Sequence, residues 1–437
     1  MVLRELDELG LDIVVAHFNH NIRGDESRRD AEFVRALAAR LSLPFELGEA
    51  DVPAVAASRG GSLEERAREE RYAFLRRVRS RLGARAVVTG HTLDDQAETV
   101  VMRLLRGSGP RGLGGIPPVG EGGGVVRPLI EAPREAVRDY LARRGETWVE
   151  DSSNVDPSHL RNRIRAELMP ALEAFNPSVR EALHRVAAIA RAYADFVEGE
   201  AEAACGGVFP ACPGLERSTG LVVGRCAPYA ALPAALRYEL VRLARRRVQG
   251  DLRRLAAEHV LAVDALLTGP QPSGEVPLPG GWTVAKGYGL FALCSPASAV
   301  AEYRRTIAGP GRWRFPELEC EVAYEDVPRP AADPDTAVLD PSALGFPLEV
   351  RNYGPTLGGA TFAPLGMKGR KRLKKLFIDE KVPRFLRPHV PLFIHGDEIV
   401  WVGGVRVSEK ARYRGGEGLV IRLVAPRVGR LLRLAAA

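Results

Sequence analysis

The sequence predicts an α/β protein: a doubly wound parallel sheet, followed by a helical middle domain and a small α+β C-terminal domain. Three observations carry this. Short apolar runs of strand length alternate with 3.6-period amphipathic stretches over the first 150 residues. The pattern from about 176 to 267 is almost purely helical. Beyond residue 348 strand-length runs return with turn residues between them. The corresponding domains are 1–175, 176–335 and 336–437.

Ile13 to Phe18 is a continuous apolar run and reads as a strand. Arg28 to Leu41 is helical, with Ala31, Val34, Leu37, Ala38 and Leu41 on one face, and Leu43 to Leu47 is a second strand. Ser62-Leu63-Glu64-Glu65 is a capping box that opens a long helix. Ala86 to Thr89 is a third strand. Asp94 to Arg106 forms a helix with Ala97, Val100, Val101, Leu104 and Leu105 inside, stopped by Gly107. Val125 to Ile130 adds a strand, and Pro133 sits at the first turn of another helix. Strands alternating with helices imply a parallel sheet, which binds ligands at the carboxyl ends of its strands. Gly269 to Gly281 and Pro328 to Pro341 read as linkers. Pro391 to Ile394 and Glu398 to Val402 form a hairpin, and Gly418 to Val424 a further strand.

The 437 residues carry 62 Lys and Arg against 55 Asp and Glu, a net charge of +7, with 46% apolar residues. This excludes a mainly disordered chain. No run approaches the roughly 20 apolar residues of a membrane span. The N-terminus does not read as a signal peptide. Five cysteines without CxxC spacing argue against a disulfide framework or zinc site and fit a reducing cytoplasm. Only Lys286, Lys368, Lys371, Lys374, Lys375, Lys381 and Lys410 are lysines, so the arginine count reflects coding bias more than function.

Chemistry concentrates in a few places. In Gly90-His91-Thr92-Leu93-Asp94-Asp95-Gln96-Ala97-Glu98, a strand gives way to a helix. Asp95 and Glu98 are neighbours on its polar face, a carboxylate pair for a metal or an amine, or else acids that complement the helix dipole. Arg71 falls within the apolar stripe of the helix after Ser62. A buried arginine needs an anion, supplied by an internal ion pair or by a phosphate-bearing ligand. His17 and His20 flank Asn19 at a strand end. They lack an obvious third metal ligand, so nucleotide contacts are preferred and no metal site is assigned. Gly107-Ser108-Gly109-Pro110-Arg111-Gly112 follows a helix, not a strand, so its GxGxxG pattern reads as a flexible loop. Arg161 to Arg165 is a helix with arginines on several faces. Gly366 to Val390 holds nine basic and two acidic residues, which equals the whole chain's net charge. Leu373, Leu376 and Phe377 anchor one face of it while the cations point outward, a footprint for a phosphate backbone.

Taken together, GHTLDDQAETVVMRLLRGSG and PLGMKGRKRLKKLFIDEKVP resemble the tRNA(Ile)-lysidine synthetases of the PP-loop ATP-pyrophosphatase superfamily. The resemblance covers nearly the whole chain. It implies a carbon–nitrogen ligase that uses ATP and Mg²⁺ to attach free L-lysine to the wobble cytidine of a CAU-anticodon tRNA(Ile). It implies further that Asp95 and Glu98 hold the lysine ammonium groups, and that His17, Asn19, Arg71 and His91 border ATP. Asn154, Arg161 and Arg165 would meet the tRNA, with Lys368, Arg370, Lys371, Arg372, Lys374 and Lys375 on its backbone. A homodimer is compatible with it. The family's Ser-Gly-Gly-x-Asp-Ser loop is absent, and the residues from Met1 read as the helix that follows that loop. The expectation is a misplaced start or truncated gene, and an inactive, poorly stable chain. Gly-Ala-Thr-Phe-Ala also replaces the family's usual Gly-Asp-Arg-Phe run before Pro364, which affects tRNA contacts around 351–363. The rival functions are a tRNA-binding homologue without catalysis and a tRNA thiolation enzyme of the same superfamily.

Overall fold

The structure is a computed structural model that describes residues 10–60, 62–149, 159–210, 221–249, 255–296, 300–328, 333–425 and 428–436. The chain divides into two compact units, Met1–Tyr193 and Ala194–Ala437.

In the first unit, β1 (Val15–Asn19), α1 (Asp25–Arg40) and β2 (Phe45–Glu49) form a βαβ element, with β1 and β2 parallel and Val15 opposite Phe45. Next come α2 (Val52–Arg59) and α3 (Leu63–Leu82). Ser62 caps α3, accepting from the Glu65 N–H at 3.2 Å, as its sequence requires. Phe74 and Val78 of α3 pack with Phe18 of β1 into a small core. Gly48 of β2 lets the Phe18 and Phe74 rings approach its backbone, because a Cβ there would lie 2.5 Å from Phe74 and 2.8 Å from Phe18. β3 (Val87–Val88) pairs in parallel with β4 (Val125–Val126), and between them lie α4 (Leu93–Leu105) and α5 (Pro110–Leu113). Parallel pairs with intervening helices match the expected α/β class. β4 is shorter than the run to Ile130 suggests, because Pro128 ends its pairing.

Two expectations about α4 change. Ala97, Val100 and Val101 are buried, but Leu104 and Leu105, at the C-terminal end of α4, are exposed. The buried face meets the segment formed by α7 (Leu160–Arg163), a π-helical turn (Ile164–Leu168) and α8 (Met169–Phe175), reached after α6 (Arg134–Arg143). Ile164 and Met169 pack on Ala97 and Val101. The stretch 107–112 is also not a plain loop, because Pro110 opens the one-turn helix α5.

α9 (Val179–Val208) leads into the second unit. The stretch 176–335 is less helical than its pattern suggests. β5 (Leu221–Arg225), β6 (Ser273–Leu278), β7 (Trp282–Gly287) and β8 (Leu290–Cys294) form an antiparallel sheet in the order β5-β8-β7-β6. The supposed linker 269–281 is thus β6 and its turn into β7, with Gly280 and Gly281 both at φ +75°. The helices α10 (Cys226–Ala230), α11 (Ala234–Gln249) and α12 (Ala257–Thr268) share this sheet's core through Tyr229, Leu240 and Val263. Beyond it, β9 (Arg304–Ile307), β13 (Leu348–Asn352), β16 (Pro391–His395), β17 (Glu398–Val402) and β18 (Arg406–Val407) form a five-stranded sheet. A four-stranded sheet combines β10 (Gly311–Arg314), β11 (Glu319–Asp326), β12 (Thr336–Leu339) and β19 (Glu417–Ala425). The short strands β14 (Thr361–Phe362) and β15 (Lys371–Arg372) pair with each other. The expected hairpin is β16–β17, turned by Gly396 at φ +58°, and the expected strand after Gly418 is β19. The second supposed linker, 328–341, contains β12.

Candidate functional site

The carboxyl end of β1, the middle of α3 and the start of α4 surround a cavity of about 960 Å³. Its lining includes His17, Asn19, His20, Arg71, His91, Asp95 and His159. The sequence-predicted nucleotide residues His17, Asn19, Arg71 and His91 are therefore brought together.

Arg71 is half-buried, and among the described residues no carboxylate lies within 4.0 Å of its guanidinium. Burial lowers its pKa from the usual value, while Tyr72 pulls the other way and Arg68 adds to the lowering. Of the two alternatives, the internal ion pair is not found among the described residues, and the cavity offers a cation in want of an anion. Three of the histidines around it, His17, His20 and His91, have lowered pKa values and are neutral at pH 7. Burial, then Arg71 and His17, push His20 down to about 4. Burial also pushes His91 down to about 4 against the opposing pull of Asp95, and its Nδ1 lies 2.9 Å from Thr89 Oγ1. Burial lowers His17, partly offset by Asp30. Asn19 is buried, and its Oδ1 accepts from the Asn21 N–H at 3.0 Å, which shapes the turn after β1. His20 Nδ1 is buried without a hydrogen-bond partner among the described residues, so it is available to a ligand.

Asp95 and Glu98 stand one turn apart at the start of α4, as predicted. Asp95 Oδ2 accepts from the Thr92 N–H at 2.9 Å and from Thr92 Oγ1 at 3.0 Å, which ties it to the helix entry. Burial raises the Asp95 pKa, but the Thr92 N–H bond and the charges of Arg161 and Arg134 outweigh it, and the net shift is downward. Glu98 is only 2% exposed. It accepts from Arg161 Nε at 2.8 Å and from Arg165 Nε and Nη2 at 2.7 and 3.1 Å. Arg161 Nη2 reaches Asp95 Oδ1 at 3.0 Å, and Arg134 Nη2 reaches it at 3.2 Å. The Glu98 bond holds the Arg165 guanidinium above its usual pKa. Arg180 pairs with the neighbouring Asp94 at 3.0 Å.

The sequence marks both acids and also Arg161 and Arg165, but nothing in it joins the two groups. It does not single out Arg134. The one local signal is Pro133, which places Arg134 at a helix start where its N–H donates to Asp94 at 2.7 Å. Asn154 lies outside the described residues. Among those residues no group of three or more His, Cys, Asp or Glu side chains could hold a metal ion.

In the second unit, α13 (Leu373–Asp379) buries Leu373, Leu376 and Phe377. Lys371 and Lys375 pair with Asp379 at 2.8 and 3.0 Å, and Arg370 pairs with Glu398 at 2.9 Å. Lys368, Arg372 and Lys374 are exposed, with no ion pair among the described residues. No helix of the described residues is long and apolar enough to cross a membrane.

Comparison with known proteins adds an independent view. A family described as "PP-loop domain" matches residues 1–172, and one described as "TilS substrate C-terminal domain" matches residues 348–423. A tRNA(Ile)-lysidine synthase of Geobacter sulfurreducens is 37% identical over 428 residues, covering 95% of this chain and 87% of that protein. Its counterpart in Symbiobacterium thermophilum is 36% identical, covering 95% and 88%. The one in Dehalococcoides mccartyi is 35% identical, covering 95% and 89%.

Proposed function

We propose that this chain, which belongs to the tRNA(Ile)-lysidine synthase family, joins the ε-amino group of free L-lysine to C2 of the wobble cytidine in a CAU-anticodon tRNA(Ile), with release of AMP and pyrophosphate. At the family level it is an ATP-binding ligase that modifies tRNA. The observation that carries the finer reading is a single cavity that presents both the Asp95 carboxylate and the Arg71 cation, which has no carboxylate partner among the described residues.

The reaction runs in two stages. The cytidine C2 oxygen takes the adenylyl group from ATP and pyrophosphate leaves. The lysine amine then adds at C2, and AMP leaves with the C2 oxygen. Arg71 stabilises negative charge on the phosphates, where a preorganised cation away from bulk water is most effective. His17, His20 and His91, all neutral at pH 7, offer hydrogen bonds to the nucleotide without adding positive charge. Asp95 and Glu98 hold lysine ammonium, and so aim the nucleophile. Orientation of this kind supplies much of the acceleration in a reaction of two substrates. Mg²⁺ bound with ATP would supply charge neutralisation at the phosphates, and no cluster of described side chains is assigned to hold it.

The basic residues Lys368, Arg370, Lys371, Arg372, Lys374 and Lys375 bind tRNA phosphates, with the exposed, unpaired members contributing most. Activity in the cytoplasm, where tRNA is held, agrees with the free cysteines of the described residues.

Two measurements test the reading. Incorporation of labelled lysine into CAU-anticodon tRNA(Ile) should depend on ATP, and ATP–pyrophosphate exchange should depend on that tRNA. Tight tRNA binding without either signal would mean a binding protein and not a ligase. Asp95→Ala should raise the KM for lysine far more than that for ATP, and equal effects would sink its assignment to lysine.

A further inference from the structure

The two carboxylates assigned to lysine are not open to it in this structure. Each Glu98 oxygen and Asp95 Oδ1 already accepts from the chain's own guanidinium groups. A further cation placed on these oxygens would meet three arginines around two acids, and it would gain little from carboxylates already neutralised.

The three arginines are not equivalent. Arg134 sits at the start of α6, where its own N–H is bound to Asp94. Arg161 and Arg165 both come from the short segment of α7 and the π-helical turn, one turn apart on either side of Ile164. Ile164 is 2% exposed and anchors that segment on Ala97 and Val101. The arginine side chains themselves are 31% and 27% exposed, so they reach the acids from the solvent edge. π-Helical turns recur at functional sites. The segment can stay packed through Ile164 and Met169 while its two long side chains swing away.

We propose that Arg161 and Arg165 occupy the lysine ammonium site as internal substitutes, and that tRNA phosphates draw them off, so that lysine binds after tRNA and not before it. The exchange is charge-balanced: a guanidinium leaves the acids for a phosphate, and an ammonium takes its place. Arginine suits this switch, because its fork binds carboxylate and phosphate equally well in geometry. The consequence is that lysine does not lodge beside ATP until the tRNA is present. The proposal rests on the assignment of Asp95 and Glu98 to lysine.

The test is equilibrium dialysis of labelled L-lysine against the full chain, without ATP. Wild type should bind lysine about tenfold or more tightly when saturated with CAU-anticodon tRNA(Ile), within the usual range of coupling between sites. Arg161→Gln or Arg165→Gln should bind lysine tighter than wild type in the absence of tRNA, and should gain less on adding it. Tighter binding alone would also follow from removing a static ion-pair partner, so the smaller gain on adding tRNA is the readout that a structural arginine would not move. Variants that melt cooperatively yet bind lysine no better than wild type would overturn the proposal. If neither variant folds, wild type decides alone, and a lysine affinity that ignores tRNA overturns it. Asp95→Asn with tRNA separates the two layers. If it retains full lysine affinity, the lysine assignment itself fails. If it loses affinity while wild type ignores tRNA, only the gate fails.

Discussion

The start of α4 and the segment 366–390 both concentrate charge, but they resolve it in opposite ways. At α4, Glu98 is almost fully buried and is bound by guanidinium groups 63 and 67 residues further along the chain. Around α13 the apolar residues are buried and Lys368, Arg372 and Lys374 project into solvent with no carboxylate to meet among the described residues. The first place is internally neutralised, so a ligand must compete for it. The second is open at Lys368, Arg372 and Lys374, where an external polyanion meets no rival among the described residues, while Arg370, Lys371 and Lys375 share Glu398 and Asp379. Charge count alone does not distinguish these cases. The position of the counter-ion does.

The largest expected effect comes from breaking the closed cluster. Glu98→Ala leaves two guanidinium groups at the solvent edge without their anion and should destabilise the first unit by about 2–3 kcal/mol, less than the cost for a fully buried ion pair because the arginines are partly exposed. Chemical denaturation checks this, and a drop below about 1 kcal/mol would mean that the arginines find water instead. Next is Arg71→Met, which removes a half-buried cation that has no carboxylate partner among the described residues. ATP affinity should fall about tenfold or more, while stability stays within about 0.5 kcal/mol, because no native ion pair is broken. Nucleotide titration together with a thermal melt reads both halves. The open segment should respond through salt. Lys368→Ala, Arg372→Ala and Lys374→Ala combined should lower the slope of log affinity for tRNA against log salt by about 2–3, since each phosphate that is no longer neutralised removes roughly 0.7–0.9. An unchanged slope would remove these residues from the tRNA footprint.

The smallest effect concerns acid. The folded-state pKa of Asp95 lies below the ordinary aspartate value of 3.8. Its contribution is therefore fully present above that value and disappears as the pH falls through the folded pKa. Asp95→Asn should flatten the acid limb of the stability curve below pH 3.8 and leave the neutral region's slope unchanged. A difference in slope at neutral pH would place its titration elsewhere.

Much of the scaffold was legible in order along the chain. The strand ending at Asn19, the Ser62 cap of α3, the entry to α4 at Thr92 and the hairpin at Gly396 all rest on local patterns, which act within a few residues. Where sequence and structure part, the deciding partner is distant. Leu104 and Leu105 carry the right period to be buried, but both side chains are exposed in the fold. The β6–β7 hairpin reads as a linker because Pro277, Gly280 and Gly281 outweigh the short strands that flank them. Arg134 could not be singled out among 55 arginines, since nothing in its own neighbourhood marks it as reaching Asp95.

By itself the sequence determined the α/β alternation, the carboxylate pair on one helix face, the odd arginine in an apolar stripe and the basic segment. Each follows from spacing along a helix or strand, and spacing is written into the order of residues. Only the tertiary structure decided that Arg71 stands in the cavity without a carboxylate partner among the described residues while Arg161 and Arg165 close on Asp95 and Glu98. An ion pair depends on separation in space and on burial, and both are set by how Ile164 and Met169 pack against α4.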